Sequence, residues 1–364
     1  MRKRYSLFIL ILNLTVLARA QAPFPAGLVK GIDEVVENSR TAQKLPAVSV
    51  AVAVGGHVVF KKAYGFADLE NELRATPETL FRTGSIAKPM TAVGALELAE
   101  RGKLDLDAPV QKYCPAFPQK KWPVTTRELL GHIAGVRHYE GKESDSTVHY
   151  FSTADGMIFF KNDPLLFQPG EKFHYTTFGY TVIGCAMEGA AGQKYADFMA
   201  TNVFGPAGMT HTIVDDFHIV PHRARGYEKD ENGNVVNAGP MDSSYKVPGG
   251  GYVSTPEDLV KFGSAIAEDK LLKHATVGMM WTSLKTTDGK ETNYGLGWGI
   301  TEFQGIRIYA HTGGQQGTST SLIVMPSRNV VTAVMINMQY IDAATINRSI
   351  LDLVLKQYVN HTGR

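Results

Sequence analysis

The 364-residue chain has only two cysteines, Cys114 and Cys185, and no C-x-x-C pair. It also lacks H-E-x-x-H, a P-loop and a G-x-S-x-G elbow. No metal, nucleotide or elbow-type nucleophile signature is therefore present, and no cofactor is expected. Charge of one sign is missing as well. Setting aside Arg2, Lys3, Arg4 and Arg19 leaves 33 basic against 35 acidic residues, with no basic block. That excludes the basic stripe that a nucleic-acid partner requires. There is no internal repeat and no low-complexity tract. A composition of 44% hydrophobic and 20% charged residues is ordinary for a globular protein of one large domain or two interleaved ones.

Beyond the first 20 residues no apolar run is long enough to span a bilayer. Those 20 residues read as a cleavable export signal. MRKR is a basic start, Leu7 to Leu17 an apolar core broken by Asn13, and Ala18-Arg19-Ala20 a small-x-small cleavage site. An uncleaved membrane anchor is the rival reading, and the short, interrupted core disfavours it. The mature protein is expected to be periplasmic or secreted, without stable membrane insertion. Export permits a disulfide. Cys185, however, lies in an apolar helical run and reads as a small buried hydrophobe, and Cys114 precedes Pro115 in a loop. Two free thiols are the expectation.

Residues 28–43 place Leu28, Ile32, Val35 and Val36 at helical spacing. AVSVAVAVGGHVVFKKAYG then reads as a hairpin turning at Gly55-Gly56. Thr76-Pro77-Glu78 looks like a helix cap with proline in first position. From Leu104 to about Phe204 the pattern is mainly helical. Thr125 and Glu128 form a capping box, a helix starts near Thr177, and Thr255-Pro256 caps another. A second hairpin signal surrounds Asn232-Gly233. Four strand candidates follow, at Gly297 to Phe303, Ile306 to His311, Ser319 to Met325 and Val330 to Asn337, before a helix from Ala343 to Tyr358. Strands at both ends with helices between predict an α/β (α+β) fold. Its antiparallel sheet joins segments of about 27–84 and 290–364, flanked by helices, around a mainly helical insert at about 85–289.

At the start of the insert, FRTGSIAKPMTAVGALELAER runs from a small-residue turn into an apolar helical segment. Ser85 and Lys88 lie three residues apart and share a helix face. A serine hydroxyl needs a base to become a nucleophile. A lysine amine can be that base if burial lowers its pKa. The same helix start offers N–H groups to an oxyanion. The competing reading is an N-cap serine beside a solvated lysine. Spacing alone does not decide, because Ser243 and Lys246 repeat S-x-x-K in SSYK, where a proline and three glycines follow instead of an amphipathic helix.

Context separates the two. SIAK is followed by YTT at Tyr175 and by HTG at His311, with LLGHIAG, PGGG and YGLGW between and around them. In this order, over the whole mature chain, these motifs resemble the serine β-lactamase and penicillin-binding protein superfamily, nearest its class C and esterase-like branch. The resemblance implies an acyl-enzyme on Ser85, with Lys88 as the adjacent base and Tyr175 as a second proton shuttle. It further implies an oxyanion hole from the backbone N–H groups of Ser85 and Gly314, and substrate contacts from His311, Thr312 and Thr177. Tyr175 could shuttle only if a cation, Lys88, lowers its pKa. His132 in LLGHIAG reads as a buried histidine holding a turn.

Two departures stand out. Y-x-N is Y-x-T here, shortening the side chain at Thr177, and K-T-G is H-T-G, replacing an ammonium with an imidazole at His311. Both disfavour β-lactam hydrolysis and D,D-peptidase activity. They favour hydrolysis of a small-molecule or peptide substrate at an amide or ester. Specificity is expected in the Gly141 to Thr147 loop, the Tyr227 to Tyr245 hairpin region and the walls around His311. A non-catalytic scaffold, homo-oligomeric or filamentous, is the alternative of another class.

Overall fold

A computed structural model describes residues 24–359, so the leader expected over residues 1–20 lies outside the described residues. The main sheet has seven antiparallel strands. From edge to edge they are Leu73–Arg74, His57–Asp68, Ala47–Val54, Val330–Ile336, Thr318–Met325, Ile306–Gln315 and Gly299–Phe303. The two ends of the chain meet at its centre, where Val48 pairs with Ile336 and Val54 with Val330. The segment between Arg74 and Gly299 is mainly helical, with short strands in two small sheets.

The central strands are apolar at nearly every position because both faces are covered. Their period of two sorts residues between two cores. Val48, Val50, Val52, Val334 and Ile336 pack on the N-terminal helix Ala26–Gln43 and the C-terminal helix Ala343–Val354. Ala47, Ala51, Ala53, Ala333 and Met335 face the opposite core, which holds the Pro256–Ala267 helix and the insert. Alanine on this second face leaves room for a helix to approach closely.

At the heart of that core runs the Ala87–Glu100 helix. Every residue from Ala87 to Leu98 is buried, so this helix has no solvent face. The caps at Thr125 and Thr255 form as their sequences predict, each side chain accepting from the N–H three residues on. Thr76-Pro77-Glu78 does not begin a helix. Thr79 N–H donates to Thr76 C=O and Thr76 N–H to Thr79 Oγ1, which closes a turn instead.

The free-thiol expectation is overturned, because Cys114 and Cys185 form a disulfide with Cα atoms 5.4 Å apart. The physical reason lies one helical turn on. A Cβ at Gly189 would stand 1.9 Å from the Tyr113 carbonyl oxygen, so only glycine lets the Cys114 loop lie against the Thr177–Ala191 helix. The bridge thus ties the insert's outer loop to the helix that carries the Tyr175 segment.

Candidate active site

The chain leaves the short strand Phe81–Arg82, makes a 3-10 turn at Gly84–Ile86 and enters the buried helix. Ser85 sits in that turn, partly exposed, and Lys88 lies in the helix's first turn, fully buried. Pro89 is tolerated at the third helical position, where no intrahelical N–H bond is made. Strand Ile306–Gln315 packs directly on the turn. A Cβ at Gly84 would come 2.7 Å from Gly314 N, and one at Gly313 would come 2.0 Å from Thr83 O. These glycines bring the backbones of Ser85 and Gly314 to the same edge of a cavity of about 510 Å³.

Lys88 Nζ lies 2.9 Å from Ser85 Oγ, 3.1 Å from Thr177 Oγ1 and 2.8 Å from the Gly249 carbonyl. No carboxylate faces it among these partners. Burying an unpaired ammonium costs several kcal/mol, about what losing a proton avoids. Burial, assisted by the positive charge of Lys246, therefore drives the Lys88 pKa well below the ordinary lysine value. A neutral amine has two N–H donors and one lone pair. In that form Gly249 O and Thr177 Oγ1 can take both donors, which leaves the lone pair for a proton from the Ser85 hydroxyl. This is the arrangement of a base next to its nucleophile. The shortened residue at position 177 keeps its contact with the lysine.

The Ser85 hydroxyl is near enough to the Tyr175 phenol to offset part of the effect of burial on it. That phenol is not acidified, contrary to the expectation that Lys88 would lower it. Burial pushes it up, and Lys88, whose own pKa burial drives down, has Nζ 4.9 Å from the ring centre. Tyr175 is therefore a phenol that can give a proton. Two histidines hold it in place. Thr176 N–H donates to His132 Nδ1 at 3.1 Å and Thr177 N–H to His138 Nδ1 at 3.2 Å, satisfying donors at the start of the Thr177–Ala191 helix. The His132 and Tyr175 ring centres are 4.3 Å apart. Burial keeps both imidazoles neutral, His138 with a pKa lowered to about 4 and His132 well below its usual value.

His311 does not line the cavity. Its Nε2 accepts from Tyr294 Oη at 2.9 Å, and its Nδ1–H donates to the Thr312 carbonyl at 2.7 Å. Burial lowers its pKa to about 3, so it presents no positive charge. Ser85, Tyr175, Thr177, Thr312 and Gly314 do line the cavity, as do Ser144 and Asp145 of the overhanging loop. Sequence reasoning passed over His138, which carried no motif of its own. It also set aside Lys246, which had been visible in the second S-x-x-K pair.

Comparison with known proteins agrees in one direction. A family model described as Beta-lactamase matches residues 32–355. The human mitochondrial serine beta-lactamase-like protein LACTB is 31% identical, over 85% of this chain and 76% of the relative. Penicillin-binding protein 4* of Bacillus subtilis is 29% identical, over 76% of this chain and 64% of that protein. Among solved structures, an octameric penicillin-binding protein homologue from Pyrococcus abyssi aligns with a TM-score of 0.80 and 26% identity, over 91% of this chain and 78% of that one.

Proposed function

Because the chain belongs to the beta-lactamase family, we propose that it is a serine hydrolase cleaving an amide, peptide or ester through an acyl-Ser85 intermediate. The observation that carries this is the buried Lys88 amine, its pKa driven down by that burial, 2.9 Å from the Ser85 hydroxyl. Ser85 Oγ attacks the carbonyl carbon while its proton passes to Lys88 Nζ. The carbonyl oxygen becomes an oxyanion held by the N–H groups of Ser85 and Gly314. The leaving group takes a proton from the Tyr175 phenol, which recovers one from the Lys88 ammonium. Water then attacks the acyl carbon, gives its proton to Lys88, and Ser85 leaves reprotonated. Thr312 and Thr177 border the substrate on two sides. His311 acts as a positioning residue that holds Thr312 rather than as a charge that binds substrate.

The same geometry argues against β-lactams. The imidazole that replaces the K-T-G ammonium is neutral and bonded to Tyr294, so position 311 offers a carboxylate no positive charge. Efficient Ser85-dependent turnover of nitrocefin would contradict this part of the reading. Export belongs to the proposal too. It is supported by the signal pattern of residues 1–20 and by the Cys114–Cys185 disulfide, since such bonds persist in oxidising compartments. Homo-assembly is supported by the octameric Pyrococcus abyssi relative. Light scattering on the purified protein measures it.

The test is a rapid acid quench during turnover of p-nitrophenyl acetate, read by intact mass. The proposal expects a burst of nitrophenol and one acetyl adduct, both absent in Ser85→Ala. A folded protein with neither burst nor adduct would return the chain to the scaffold reading.

A further inference from the structure

Tyr340 stands at the rim of the Ser85 cavity, between the strand Val330–Ile336 and the helix Ala343–Val354. It is 93% exposed, and among the described residues its side chain has no hydrogen bond and no ring contact. Its backbone is left-handed, with φ +61°. It is the one tyrosine, phenylalanine or tryptophan with positive φ among the described residues. That geometry crowds Cβ against the carbonyl, and glycine or asparagine adopts it at less cost.

The neighbours impose this conformation. Gln339 N–H donates to the Tyr227 carbonyl at 3.0 Å, and the Gln339 side chain holds Gly317 N–H and Glu228. On the other side Ile341 N–H donates to Ser319 Oγ at 3.0 Å. Ser319 pairs in turn with Gly314, whose N–H belongs to the proposed oxyanion hole. The fold therefore fixes Tyr340 from both sides and ties it to the reacting edge of the cavity. Folding gains nothing from the ring itself, which is left in water on a strained backbone. Strain held in this way at the mouth of a site points to a ligand.

We propose that Tyr340 is a specificity-determining residue that stacks on an aromatic ring of the substrate at the cavity mouth. A flat phenol presented to water offers a face that an aromatic ligand covers, burying apolar area on both partners. A cation fits that face less well. Among the described residues the acids lining the cavity are Asp145 and Asp342, and they are tied to Ser144, Gln316 and Thr345. The proposal rests on the hydrolase reading for the ligand being a substrate, but not for its binding test.

The probes are N-acetyl-alanine methylamide, N-benzoyl-alanine methylamide and N-acetyl-alanine benzylamide, both enantiomers of each. The second adds a ring on the acyl side and the third on the amine side. Binding is measured by calorimetry on the Ser85→Ala protein, where chemistry is off. At least one ring-bearing probe is expected to bind more tightly than the first. Adding Tyr340→Asn weakens that probe about 2- to 10-fold, the range for an aromatic pair, and leaves the first unchanged. Tyr340→Phe keeps the preference. Because asparagine suits the left-handed backbone, Tyr340→Asn should melt no lower than its parent. No ring preference, or one that survives Tyr340→Asn, overturns the proposal. So does a melting temperature lowered by more than about 3 °C, which would make the ring structural. Turnover by the wild type is scored separately. A ring preference lost in Tyr340→Asn, in a protein with no turnover, would sink the hydrolase reading and leave the Tyr340 contact standing.

Discussion

The two S-x-x-K segments, SIAK and SSYK, have the same spacing, end in a buried lysine and border one cavity, yet the protein uses them differently. In the first, serine and lysine bond each other at 2.9 Å. In the second they do not. Ser243 Oγ donates to Asp215 Oδ2 at 3.3 Å, and Lys246 turns to a methionine sulfur. Ser85 is partly exposed at the cavity edge, whereas Ser243 is buried and absent from the lining. The helix accounts for the difference. Both segments begin in a 3-10 turn, but Gly84–Ile86 runs straight into the helix Ala87–Glu100 and puts residue 88 over residue 85. Lys246, at φ −133°, instead breaks the helical path before the four-residue helix Val247–Gly250. Spacing proposes a catalytic pair, and backbone geometry decides it.

The sharpest way to break the comparison is to remove each serine. Ser85→Ala is expected to lower kcat/KM by about 1,000-fold or more in any ester or amide assay, the scale for deleting a nucleophile. Ser243→Ala is expected to keep the acetyl adduct in the quench experiment. Next come the lysines. Lys88→Met should cost about 100- to 10,000-fold in kcat, as loss of a general base does. Its melting temperature should hold, because the variant no longer buries an amine. An unchanged kcat would remove Lys88 from the mechanism.

Smaller effects should follow from the anchor of the second pair. Asp215 is buried and receives Arg82 at 2.7 Å, Arg223 at 3.1 Å and Ser243. Asp215→Ala leaves two guanidinium groups without their carboxylate, and about 3 kcal/mol of stability should be lost in urea unfolding. A loss under about 1 kcal/mol would show the cluster to be solvated and unimportant.

Much of this was readable in the chain. The β-rich runs of AVSVAVAVGGHVVFKKAYG already described a hairpin, and the pairing of Ala47–Val54 with His57–Asp68 bears it out. Thr125, Thr255 and Gly55-Gly56 announced their caps and their turn because those signals are local. What stayed hidden depends on distant approach. The disulfide rests on Gly189 lying against Tyr113, a contact between segments that no local pattern encodes. His311 looked like a substrate contact until Tyr294, seventeen residues away, was seen to hold its ring. Lys246 was set aside because SSYK runs into a proline and three glycines instead of an amphipathic helix. Its burial comes from Tyr139, Met241 and Tyr245 closing over it in space.

The claim that one of the two pairs is activated is tested most directly by labelling the protein with a fluorophosphonate and mapping the modified peptide. The account predicts a single adduct on Ser85, formed faster as pH rises through the lowered pKa of Lys88 and slowed in Lys88→Met. An adduct on Ser243, or labelling of Ser85 at the same rate without Lys88, would contradict it.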